Sequence, residues 1–410
     1  MSLQSTSAPE SRAVAVTIAY VTFAFTLGAA WFVLAPLIPA LIAQLHASLS
    51  SILLFISLYG FAMIIFSMPA AWWARKDGVS PVLRTAIVLS FVGLGGRVFA
   101  PSYSWFFLAQ AIAAIAYPML ISPVGAVLRR ARLTHWRAAT GLTIGMLFFG
   151  MSMGAFFGPV LLAAFGLTGT LIFTWILNAL VGVFLFSAVN KIPAEQAGVG
   201  ENGAVEGARR IVFGSPRWWW IGLAIASTSV MFGGIAVSVM LHLNIPGAIQ
   251  LGGTLTALTF LGSAVGATLF PSLADVFGKS GVWQLVLIVL TAILTVLVVL
   301  VFTQGMQASA NLLKVIFFLL GLFGNGCYAL SLAATAAAAR EAEGAGVQTA
   351  GFSMASNVGV ALLPPLLGPL VISAPIVFGL LTILIVVLAV VNVSINVRRE
   401  AAFPAFQKSS

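Results

Sequence analysis

The chain has 410 residues, 61% of them hydrophobic and 7% charged, with a mean hydropathy of +1.11. A soluble domain carries roughly a quarter of its residues charged, so a water-soluble globule is excluded. Nineteen Lys and Arg against nine Asp and Glu would suit a phosphate-binding surface, but the basic residues stand in short clusters between apolar runs. That distribution argues against nucleic acid and for the lipid bilayer as the partner.

The N-terminal residues Met1 to Arg12 are polar and Ser-rich. The apolar run that follows is too long for a signal h-region and lacks an Ala-x-Ala cleavage site, so it is expected to remain as the first span. Apolar runs then recur at 14–42, 51–73, 82–100, 104–128, 138–163, 168–190, 218–243, 250–272, 282–304, 311–338, 347–372 and 374–397. Each is long enough to cross a hydrocarbon core of about 30 Å, which predicts an all-α membrane protein of twelve transmembrane helices. With the N-terminus in the cytoplasm, the inner loops collect Arg75, Lys76 and Arg84, then Arg129, Arg130, Arg132 and Arg137, then Lys191, Arg209, Arg210 and Arg217, then Lys279, Arg340, Arg398, Arg399 and Lys408. Only Arg97 and Lys314 fall elsewhere. The bias predicts a cell-membrane protein, plasma or inner, with both termini cytoplasmic.

Residues 191–217 hold three of the nine acids, many glycines and no sustained apolar stretch. They divide the chain into an N-terminal six-helix bundle (1–190), a cytoplasmic central linker and a C-terminal six-helix bundle (218–410). A repeat supports the division. Arg129 and Arg340 are 211 positions apart, as are Tyr117 and Tyr328, while Gly141 and Gly351, Gly158 and Gly368, and Pro159 and Pro369 are each 210 apart.

Ionisable groups deep in a span are costly and usually functional. None of the nine acids is predicted mid-span, and His46, His135 and His242 fall near span ends, so a proton relay has no obvious carrier. Arg97 and Lys314 lie toward the outer ends of their helices. There they either extend their charge to the interface or form an outer vestibule that attracts an anion. Gly150, Gly154 and Gly158 recur every four positions, letting helices approach closely, and Pro159 permits a bend. Static packing and conformational rocking both fit that stripe. Cys327 stands alone, which argues against disulfides and cysteine metal clusters. No Walker loop and no His-Glu-x-x-His motif is present, so no cofactor, metal or enzymatic activity is expected.

Twelve spans, a six-plus-six repeat and a central linker resemble the major facilitator superfamily over nearly the full chain. Two motifs add to the resemblance. Pro271-Ser-Leu-Ala-Asp275-Val-Phe-Gly278-Lys279 is similar to the superfamily's Gly-x-Leu-Ala-Asp-Arg-x-Gly loop with Pro in the first position, and Gly150 to Pro159 is similar to its fifth-helix Gly-Pro motif. There are departures. Residues 69–78 keep the basic character of the loop 2–3 motif without its Asp spacing, and Gln110 stands where many proton-coupled members have Arg.

The resemblance implies a cavity lined by the first, fourth, seventh and tenth spans. Trp31, Gln110, Tyr117, Asn325 and Tyr328 then become candidate substrate ligands, with Asn357 nearby. For each the alternative is helix packing, and for Trp31 the interfacial belt. Asp275, Gly278, Gly154, Gly158, Pro159, Gly368 and Pro369 become candidates for conformational roles. The implied function is alternating-access transport of a small organic solute by a monomeric facilitator or exchanger. A proton- or ion-coupled symporter of a small anion stays open, as does a non-transporting receptor or scaffold, although its large outer loops are missing. Trp31 to Pro39 is similar to the nitrate/nitrite and cyanate branches, and residues 69–110 to the haem and choline exporters. Neither likeness is specific to a substrate.

Overall fold

The computed structural model describes residues 7–130, 136–190, 208–213, 216–304, 309–337 and 342–402. In chain order, α1 is Val14–Leu45, interrupted at Val33 just before Pro36; α2 is Leu49–Asp77, α3 Val79–Val98 and α4 Tyr103–Ile121. After a short helix at Val124–Arg130, the helical run Trp136–Val189 would extend about 80 Å if straight, more than twice the hydrocarbon thickness. At Gly166 its backbone turns to φ +66°, ψ −176°, a conformation open to residues without a Cβ. The run is therefore two crossings, α5 (136–165) and α6 (167–189). In the second half α7 is Pro216–His242, α8 Ala248–Phe277, α9 Ser280–Gln304, α10 Ala310–Ala337, α11 Gly346–Ser373 and α12 Pro375–Ala402. Counting the two crossings separately gives twelve spans among the described residues, as the apolar runs predicted.

Two spans are not single regular helices. In α7 the segment Ala226–Val230 is a π-helical turn. Its Ser227, Thr228 and Ser229 hydroxyls donate to Ala224 O, Ile225 O and Ile225 O, so they satisfy themselves within the helix. In α11 the helix breaks at Asn357 and again at Gly368, where Pro364 and Pro365 remove backbone donors.

Successive spans run in opposite directions. One end of the bundle carries Arg75, Lys76, Arg84, Arg217, Lys279 and Arg398; this is the basic end. Most of the expected linker, 191–207 and 214–215, lies outside the described residues, as do Arg132, His135, Arg340 and the chain from 403 onward. The part described, 208–213, is helical, and Ala208 is buried with Ala71 of α2 and Val347 and Ala350 of α11.

Within the first half the glycine stripe packs α5 on α1: a Cβ at Gly150, Gly154 or Gly158 would overlap Phe25 O, Ala29 O or the Pro36 ring. In the second half Gly262 and Gly266 of α8 lie against Phe318 O and Leu322 O of α10 in the same manner. A polar link ties three helices of the first half, where Ser90 donates to Asn178 Oδ1 at 2.6 Å and Asn178 Nδ2 donates to Thr26 at 3.0 Å. Between the halves, α2 packs on α11, α5 on α8, and the end of α1 on the end of α7. α7 is the most enclosed span, with 89% of its apolar window buried against 33% for α12. The lipid-facing sides carry exposed apolar residues such as Leu180, Val183, Leu380 and Leu384.

Candidate functional site

A narrow cavity lies between the halves. From the first half, Trp31 (α1), Tyr117 (α4), and Phe148 and Met151 (α5) line it. From the second half come Ala226 and Val230 of the π-turn, Phe260 (α8), Asn325 and Tyr328 (α10), and Ser356 and Asn357 at the break in α11. Contacts cross the seam on both sides of this space. Toward the basic end Thr349 donates to Ser122 O at 3.3 Å. Toward the opposite end Ser50 donates to Pro365 O at 2.7 Å, and Gly368 lies against Leu53 and Ile235.

The cavity brings together five of the six residues singled out as substrate ligands. Trp31 is buried, so the interfacial-belt alternative does not apply; its ring stacks on Tyr59 with centroids 4.1 Å apart and lies 5.2 Å from Tyr117. Its Nε1 donates to Ile56 O at 3.0 Å. Across the cavity, Asn325 Nδ2 donates to Ser263 at 2.7 Å and Asn357 Nδ2 to Ser353 O at 2.8 Å. An amide has two N–H donors and a carbonyl oxygen, so each asparagine keeps hydrogen-bonding capacity. Tyr328 Oη is buried among Ser353, Ser356 and Asn357 without completing a hydrogen bond to any of them.

Gln110 is placed differently from the expectation. It is fully buried away from the cavity, donating to Phe55 O and accepting from Arg97 Nη1, both at 3.0 Å. Arg97 also departs from it. Near the end of α3 it was expected to reach the interface or an outer vestibule, yet its side chain turns inward, is 1% exposed, and donates a second bond to Ala30 O at 3.1 Å. Close packing of α3 on α4 directs it there: a Cβ at Gly93 would overlap Ala113. Lys314, in the second turn of α10, is half-buried.

Among the conformational candidates, Gly154 and Gly158 sit on the α1–α5 contact. Pro159 faces α8, where a Cβ at Gly253 would come 3.0 Å from its ring. Gly368 and Pro369 stand at the second break of α11. Gly278 caps α8 at φ +68°, followed by Lys279 at φ +57°; the side chain of Asp275 lies outside the described residues. Sequence reasoning missed Ser356, the π-turn and the orphaned Tyr59 hydroxyl. The Ala-Ser-Thr-Ser-Val run was the available signal for the π-turn.

One catalytic pattern is also present, Gly150-Met-Ser152-Met-Gly154, the Gly-x-Ser-x-Gly form of hydrolases. That motif needs a sharp strand-to-helix turn that exposes the serine. Here the stretch is unbroken helix, and Ser152 is buried and donates to Ala257 O at 2.7 Å, so it serves the α5–α8 contact.

A family model described as the Major Facilitator Superfamily matches residues 20–252, more than half of the chain. No curated protein sequence matches. Among solved structures, a crystal structure of a mutant of the nucleoside transporter NupG superposes with a TM-score of 0.68 at 13% identity, covering 92% of this chain and 99% of that one. At that identity the likeness concerns the fold.

Proposed function

The chain belongs to the major facilitator superfamily, and on that premise we propose that this multi-pass membrane protein moves a small organic solute by alternating access, as a facilitator or exchanger. The observation that carries the reading is the cavity itself. It lies on the seam between the halves, has contacts on both sides of it, and offers an aromatic wall facing an amide and hydroxyl wall. Such a space suits a solute with one apolar face and a few hydrogen-bonding groups.

Proton coupling is weak or absent in this reading. Among the described side chains the only carboxylate is Asp77, exposed at the basic end. The basic end is cytoplasmic, following the charge bias.

The deciding experiment screens the purified protein by thermal shift against a metabolite library, then follows uptake of the hits in proteoliposomes. Uptake and counterflow of a hit support the reading, and binding without flux would favour a receptor. An imposed pH gradient is expected not to drive accumulation of a neutral hit; uphill uptake abolished by a protonophore would overturn the uncoupled mechanism. In a Cys327→Ala background, cysteines at His46 and Lys279 should label from outside and inside respectively, and the reverse would overturn the orientation.

A further inference from the structure

Arg97 is a charged side chain in a membrane span with no countercharge among the described side chains. Its Nη1 is used by Ala30 O and Gln110 Oε1, both neutral acceptors. Its Nε and Nη2 are buried and bonded to nothing. Asp77 is at the far end of the bundle, and Asp275 is in the last turns of α8 at that same basic end. Removing an ion from water costs several kcal/mol unless it is paired and hydrogen-bonded, so a guanidinium half-satisfied by dipoles is missing a partner.

The surroundings say what kind. Tyr59 lies within electrostatic reach of the guanidinium, and its hydroxyl is also buried and unbonded. The place therefore gathers orphaned donors, two guanidinium nitrogens and one phenol, in an apolar shell. A single anion would satisfy all of them, with the charge-assisted bonds that are the strong ones. The place is closed by aromatic rings on two sides. Toward the cavity, Tyr59 stacks on Trp31. Toward the end opposite the basic one, Phe55 packs on Tyr103 and Phe106 of the first turn of α4, with centroids 5.2 and 4.7 Å away. Both layers use α2, the helix that packs against α11 across the seam, where Gly60 lies against the Ala361 backbone.

We propose that Arg97 and Tyr59 form a monovalent-anion site behind the Trp31 wall, occupied by the carboxylate of the carried solute or by a free halide. Displacement of α2 against α1 and α4 separates both aromatic layers and opens the place to the anion. The proposal deepens the transport reading and rests on it for the link between anion and cargo.

The test uses the full-length protein in detergent, with melting temperature followed through titrations of sodium benzoate, sodium chloride and neutral benzamide in a sodium gluconate background. Benzoate or chloride is expected to raise the melting temperature of the wild type, and benzamide is not. In Arg97→Gln the apparent Kd for the active anion should rise about ten- to a hundredfold, while Arg398→Gln, altered on an exposed surface, should respond as wild type. Preference for benzoate assigns the charge to the solute; preference for chloride assigns it to a resident ion. Should Arg97→Gln not fold, Tyr59→Phe removes one donor and should weaken the response severalfold, while Arg97→Lys should keep part of it. No anion response in the wild type, or an unchanged response in both Arg97→Gln and Tyr59→Phe, overturns the proposal. Transport of a neutral solute by a protein indifferent to anions would sink this site alone. Anion binding through Arg97 without flux would sink the transport reading alone.

Discussion

The two walls of the cavity are built on different principles. On the first-half side, Trp31, Tyr117, Phe148 and Met151 present mainly rings and a thioether; the Trp31 indole is already held by Ile56 O, and the Tyr117 phenol is the other donor. On the second-half side, Asn325, Tyr328, Ser356 and Asn357 add amides and hydroxyls to the apolar Ala226, Val230 and Phe260, and the Tyr328 hydroxyl is unsatisfied. Stacked rings fix a shape, whereas an incompletely bonded polar group favours whatever completes it. The first-half wall therefore sets which outlines fit, and the second-half wall sets which functional groups are retained.

The largest effect that would test this contrast is Trp31→Ala. The ring bridges Tyr59, Phe32 and Tyr117, so its loss should destabilise the protein by about 3–5 kcal/mol and abolish transport, as read by unfolding in detergent and uptake in proteoliposomes. A fully stable Trp31→Ala protein would break the shape argument. Next is Asn325→Ala, which removes the hydrogen bond to Ser263 and a ligand candidate together; solute affinity should fall about tenfold with a modest loss of stability. Tyr328→Phe sharpens the comparison. Its hydroxyl bonds to nothing in the protein, so affinity should fall about five- to tenfold while the melting temperature holds or rises. A lower melting temperature with unchanged affinity would make Tyr328 a packing residue. Smallest of all, replacing Ser227, Thr228 and Ser229 by alanine together should change transport less than twofold, because these hydroxyls already bond to their own helix.

Much of the fold was legible, because apolar length and basic clustering are one-dimensional quantities that the bilayer imposes directly. The gap between the fifth and sixth apolar runs fell at 163–168, and Gly166 turns the chain there. Facing directions were not legible in the same way. Arg97 and Gln110 each sit about two turns or less from a helix end, and position along a helix does not say toward which neighbour a side chain points. The α3–α4 contact decides that, and it turned both residues inward to meet each other. Tyr117, Asn325 and Tyr328 stood out as polar groups in apolar runs, but the resemblance to a known architecture, not their spacing, supplied the expectation of a shared cavity. The π-turn escaped because a one-residue slip in helical bonding leaves the hydrophobic pattern almost unaltered.

The glycine-to-carbonyl contacts between α1 and α5 also shape how the gene can vary. At Gly28, Gly150 and Gly154 the facing atoms are backbone, Leu147 O, Phe25 O and Ala29 O, so no neighbouring side chain can shrink to make room for a new one. A second-site suppressor would have to move a whole helix. A saturation mutagenesis map should therefore draw this contact as a row of positions that accept nothing but glycine. Leu180 and Val183, exposed on the outside of α6, should meanwhile exchange freely among apolar residues, with drift along the chain confined to the lipid side.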